Sequence, residues 1–80
     1  MKKNPAKAKK ILKNLGLNIK FYRTKLNLTQ EQIAEKIDAE RSYITALEGG
    51  NKSPSIYFLY ELAKALNVSL KELMDININQ

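Results

Sequence analysis

Cysteine and histidine are both absent from these 80 residues, and each absence removes a class of chemistry. Without cysteine, disulfides, thiolate nucleophiles and zinc fingers cannot form. Without histidine, the side chain most often used for general acid–base catalysis is missing. No stretch approaches 18 consecutive apolar residues, which excludes a membrane-spanning helix. The N-terminus, MKKNPAKAKK, is basic but lacks the apolar h-region of a secretory signal. A fold of this kind rests on helix packing alone, and a reducing cytoplasm suits it. At 80 residues it is expected to be one domain with one modest core.

Acid is missing from the first part of the chain. Residues 1–13 carry Lys2, Lys3, Lys7, Lys9, Lys10 and Lys13, whereas residues 14–80 carry eight basic and eight acidic side chains. The net charge of +6 therefore sits in residues 1–13, and the chain divides into a basic N-terminal arm at 1–10, a domain at 11–76 and a short tail at 77–80. Such an arm suits a nucleic-acid backbone or serves as a solubilising, poorly ordered terminus.

Alternation of period two is nearly absent, and period 3.6 recurs. Leu12, Leu15, Ile19, Tyr22 and Leu26 share one face of a first helix, which begins at Asn14 or earlier and ends near Asn27. Gly16 weakens that helix locally and permits close packing. Thr29 and Gln32 form a capping box for a short second helix that buries Ile33, Ala34 and Ile37. A third helix runs from about Arg41 to Glu48, with Ile44 and Leu47 inward, and stops at Gly49-Gly50. Ser55 caps a fourth, with Ile56, Leu59, Leu62, Ala63 and Leu66 inward. Ser69 and Glu72 form the capping box of a fifth, with Leu70, Leu73 and Met74 as its apolar contacts. The fold class is all-α.

Catalysis has little to stand on. GLNIK and EGGNK lack the spacing of a phosphate loop, and Glu31 with Glu35 reads as surface charge. No enzyme, no cofactor and no metal are expected. Helices two and three, separated by a tight turn and packed through Ala34, Ile37, Ile44 and Leu47, match a helix-turn-helix. The same spacing also fits a corner of a small helical bundle with no ligand.

Leu28 to Gly50, LTQEQIAEKIDAERSYITALEGG, resembles the helix-turn-helix of the phage repressor and Cro family, also called the XRE family. SPSIYFLYELAKALNVSLKELM is similar to that family's fourth and fifth helices. The resemblance implies a five-helix, lambda-repressor-like DNA-binding domain with its helix-turn-helix at helices two and three. It implies base reading by Gln30, Arg41, Ser42, Tyr43, Thr45 and Ala46, and phosphate contact by Thr29, Arg23, Asn51 and Lys52. Arg41 is the chief reader, since a guanidinium can bond guanine O6 and N7 for roughly 1–3 kcal/mol of discrimination. Tyr43 stacks on sugar or thymine methyl, or is partly a core aromatic. Arg23 pairs with Glu48 as a brace between helices one and three.

Two positions depart from the family. Asp38-Ala39-Glu40 replaces a turn that usually holds glycine, a small apolar residue and a serine-like cap, so Glu40 is a poor N-cap. Gly49 stands where an arginine or asparagine often adds a phosphate contact.

The resemblance further implies a cytoplasmic, nucleoid-associated homodimer on double-stranded DNA, with recognition helices about 34 Å apart on a pseudo-palindrome. Its expected interface is Tyr57, Tyr60, Leu70, Leu73, Met74 and Ile76. A repressor is the expected role, as in small repressors or restriction–modification controller proteins. The alternative is a protein-interaction module such as an antitoxin. Contact with polymerase or a toxin is left open.

Overall fold

The computed structural model describes residues 4–76. It forms five helices in chain order: α1 (Pro5–Lys25), α2 (Gln30–Lys36), α3 (Arg41–Glu48), α4 (Ile56–Ala65) and α5 (Leu70–Leu73). Among the described residues, all regular structure is helical.

The start of α1 lies within the lysine-rich segment. Asn4 accepts a hydrogen bond from the Lys7 backbone N–H at 3.1 Å, and Pro5 takes the first helical position. A polar cap followed by proline is a strong helix start, because proline's missing N–H needs no partner there. Residues 5–10 are therefore the opening turns of a 21-residue helix and not an arm that precedes it. Lys2, Lys3 and the tail at 77–80 lie outside the described residues.

Both capping boxes form as expected, at Thr29 with Gln32 and at Ser69 with Glu72. Asn27, Asp38 and Asn67 turn the chain after α1, α2 and α4, each with φ between 54° and 60°. These residue types enter left-handed geometry more readily than most.

The core draws Leu15 and Ile19 from α1, Ile33 and Ala34 from α2, and Ile44 and Leu47 from α3. Leu59, Leu62, Ala63 and Leu66 come from α4 and its end, and Leu73 from α5. Helix α1 crosses the end of α3 at Gly16, where an added Cβ would stand 2.5 Å from the carbonyl oxygens of Leu47 and Glu48. Only glycine fits that crossing. Two residues further along α1, Asn18 Nδ2 donates to the carbonyl oxygens of Leu73 (3.0 Å) and Asp75 (3.1 Å). Those bonds satisfy acceptors at the C-terminus of α5, which a four-residue helix cannot pair internally.

Two expectations about packing need correction. Ile56 is 66% exposed and not in the core. Period 3.6 sets its direction about the helix axis, but in the first turn no neighbouring element reaches it. Phe58 packs instead, edge-on to Tyr43 with ring centroids 5.0 Å apart. Leu73, expected at a subunit interface, is fully buried in the chain's own core. Leu70 and Ile76 are partly buried against that core.

Candidate nucleic acid interface

The short α2–turn–α3 unit is held from behind by Ile33, Ala34, Ile44 and Leu47. Ala34 is the close-packing position: its backbone oxygen accepts from the N–H of Ile37 and of Ala39, which tightens the turn. At the head of α3, Glu40 makes no side-chain capping bond, as its chemistry led one to expect.

Arg41, Ser42 and Thr45 are exposed along one edge of α3, and Ala46 is half-buried beside them. A shallow hollow between the starts of α2 and α3 is lined by Arg23, Thr29, Gln30, Glu31 and Arg41. The structure thus brings Arg23, Thr29, Gln30 and Arg41 together. Tyr43 stands apart from them: it is half-buried and packed against the core through Phe58. Of its two expected roles, the packing one is what the ring performs.

Beneath the hollow lies the brace. Arg23 Nε donates to Glu48 Oε2 at 2.6 Å, and Arg23 Nη2 donates to Glu48 Oε1 at 3.0 Å. Arg23 Nη1 also donates to the Leu28 carbonyl oxygen at 2.6 Å, tying down the turn into α2. Only 10% and 5% of the two side chains is exposed. With three of its donors committed inward, Arg23 is first a brace. Two further bonds escaped sequence reasoning. Gln30 Nε2 donates to Glu48 Oε1 at 3.0 Å, and the Thr45 hydroxyl donates to Gln30 Oε1 at 2.7 Å. Nothing in the spacing of residues 23, 30, 45 and 48 signals this, since it depends on how three helices dock.

Asn51 and Lys52 are exposed in the loop after α3. Gly50 in that loop has φ +76°, and a Cβ there would stand 2.7 Å from Lys13 Cγ. Lys13 of α1 therefore lies against this loop, next to the expected phosphate-gripping residues. No helix is long and apolar enough to cross a membrane, and no group of three or more acidic, cysteine or histidine side chains could hold a metal, both among the described residues.

Five helices with an exposed third helix braced by the first define a Cro/XRE-type helix-turn-helix fold. The structure is similar to the restriction–modification controller protein C.AhdI from Aeromonas hydrophila, with TM-score 0.75 and 32% identity over 78% of this chain and 94% of that one. It is also similar to the biofilm regulator SinR in complex with DNA, with TM-score 0.73 and 34% identity over 76% and 98%. In sequence, an uncharacterised HTH-type transcriptional regulator, y4dJ, of Sinorhizobium fredii is 39% identical over 62 residues, 78% of this chain and 80% of that protein. Residues 16–77 match the helix-turn-helix domain model, and the chain belongs to that family. It is a DNA-binding transcriptional regulator and not an enzyme.

Proposed function

We propose that the chain binds a pseudo-palindromic operator as a homodimer and represses transcription, in the cytoplasm and on nucleoid DNA. The observation that carries this reading is the edge of α3. Arg41, Ser42 and Thr45 are exposed there on a helix otherwise anchored by Ile44, Leu47 and Glu48. Arg41 is the chief base reader, with Ser42 and Thr45 beside it. Gln30 and Thr29 act at the start of α2, and Asn51, Lys52 and Lys13 grip the backbone. Likeness to a controller protein and to a regulator solved with DNA supports the same reading.

The proposed interface narrows to exposed side chains. Tyr57, Tyr60 and Met74 qualify, and Ile56 joins them. Steric block of a promoter is then sufficient for repression.

Selection from random duplexes followed by footprinting tests the proposal. A two-fold symmetric footprint is expected, and Arg41→Ala should relax one position in each half-site. Lys13→Gln should lower the slope of log affinity against log salt by about 2, one phosphate contact being lost from each protomer. No duplex enriched above background means that sequence-specific binding is wrong.

A second reading, a clasp for a partner protein such as a toxin, has one observation in its favour. Leu17 and Phe21 stand exposed one turn apart on α1.

A further inference from the structure

Four side chains from α1, α2 and α3 form one hydrogen-bonded chain, and its chemistry dictates which way each proton points. At the buried end, Glu48 accepts from Arg23 on both carboxylate oxygens. Its Oε1 accepts again from Gln30. An ion-paired carboxylate only accepts, so Gln30 must turn its NH2 towards Glu48. The amide is planar, which aims its oxygen at the Thr45 hydroxyl 2.7 Å away. An amide oxygen also only accepts, so Thr45 must donate. The second neighbour of that hydroxyl, the Arg41 carbonyl oxygen at 3.1 Å, is another acceptor. Thr45 has one hydroxyl proton, and both neighbours draw it into the protein.

We infer that Thr45 meets DNA as a hydrogen-bond acceptor, selecting a base with an exocyclic amine, adenine or cytosine, at its position in each half-site, and that Gln30 held by Glu48 sets this polarity. The inference rests on the proposal that the edge of α3 faces the major groove. There, adenine N6 and cytosine N4 donate, whereas guanine O6 and N7 and thymine O4 accept. An oxygen whose proton is already engaged meets those acceptors lone pair against lone pair. Sequence alone leaves Thr45 free to donate or accept, and the bond to Gln30 removes half of that choice. Gln30 keeps one amide proton and remains a donor, suited to a phosphate oxygen.

Selected duplexes provide the test. Wild type, Thr45→Val and Thr45→Ser are compared on the selected site and on all single-base variants of it. Thr45→Val should level the preference at one adenine or cytosine per half-site by roughly 2- to 12-fold, the worth of one neutral hydrogen bond. Thr45→Ser should keep it. With wild-type protein, replacing that adenine by purine, or that cytosine by 2-pyrimidinone, removes only the amine and should give the same loss. Gln30→Ala should leave the hydroxyl proton held only by the longer bond to the Arg41 carbonyl oxygen, and so weaken the discrimination against guanine and thymine there. The inference is overturned if Thr45→Val changes no position, if the position it changes prefers guanine or thymine, or if the amine-free bases bind as well. Failure to select any duplex is a different result, which removes the operator proposal and this inference with it.

Discussion

Arg23 Nε and Glu48 Oε2 stand 2.6 Å apart across the α1–α3 junction, and almost none of either side chain reaches solvent. Desolvating two charges is costly, and their attraction offsets that cost only while both are present. Glu48→Ala or Arg23→Ala should therefore lower stability by about 3–5 kcal/mol. The double variant Arg23→Met with Glu48→Leu should recover most of that loss in a denaturant titration. Its base preference should remain degraded, because Gln30 has lost its anchor. Full recovery of both would mean that the pair is structural only.

Gly16 offers a trial in which two effects oppose each other. Alanine would improve helix propensity by about 1 kcal/mol in the interior of α1. Its Cβ, however, would sit 2.5 Å from two backbone oxygens of α3, which cannot swing aside as a side chain would. Overpacking of this kind costs about 1–3 kcal/mol or more. Gly16→Ala should have a lower melting temperature than wild type; an increase would mean that the crossing is loose.

The turn between α2 and α3 carries two improvable positions. Asp38 holds φ 54°, a conformation that costs a non-glycine residue energy, and Glu40 caps α3 with backbone alone. Asp38→Gly should stabilise by about 0.5–1 kcal/mol. Glu40→Ser should add about 1 kcal/mol by supplying a capping oxygen. Thermal unfolding of each variant checks these signs.

Acid should loosen α5. Glu72 accepts from the Ser69 backbone N–H at 3.1 Å, and that bond, then the Ser69 side chain, holds its carboxyl below the ordinary value of 4.5. A lowered folded-state value means that the contribution is complete above the unfolded value and is lost as pH falls through the folded one. Amide exchange at Leu73 and Met74 should accelerate as pH drops below about 4.5, after correction for intrinsic rates. Glu72→Gln should flatten that dependence, and an unaltered acid slope in the variant would assign it elsewhere.

Local rules were readable from the chain because they depend on residues three or four apart. Thr29 with Gln32 and Ser69 with Glu72 are such pairs, and the end of α3 follows from Gly49-Gly50. The Arg23–Glu48 pair was reachable through family resemblance and not through spacing. Harder features depended on what lies opposite a side chain. Ile56 and Leu73 both carry helix-face apolar positions, yet one is exposed and the other sealed. Tyr43 stood open between DNA and the core because its partner, Phe58, is on another helix. The beginning of α1 was hidden by its charge: lysines near the positive end of a helix are unfavourable, which made residues 5–10 resemble an arm. Asn4-Pro5 was the signal that outweighed it.

The hydrogen bonds from Arg23 through Glu48 and Gln30 to Thr45 also bear on modularity. A recognition helix is often thought of as a cassette whose transplant carries its specificity along. Here the cassette would carry Thr45 and Glu48 but leave Gln30 on α2 and Arg23 on α1. Moved alone into a foreign scaffold, α3 would arrive with a carboxylate seeking a cation and a hydroxyl held only by its own helix's Arg41 carbonyl oxygen. The hydrogen-bonded unit is four positions on three helices, and a substitution at residue 23 can change the partners of the residue 45 hydroxyl.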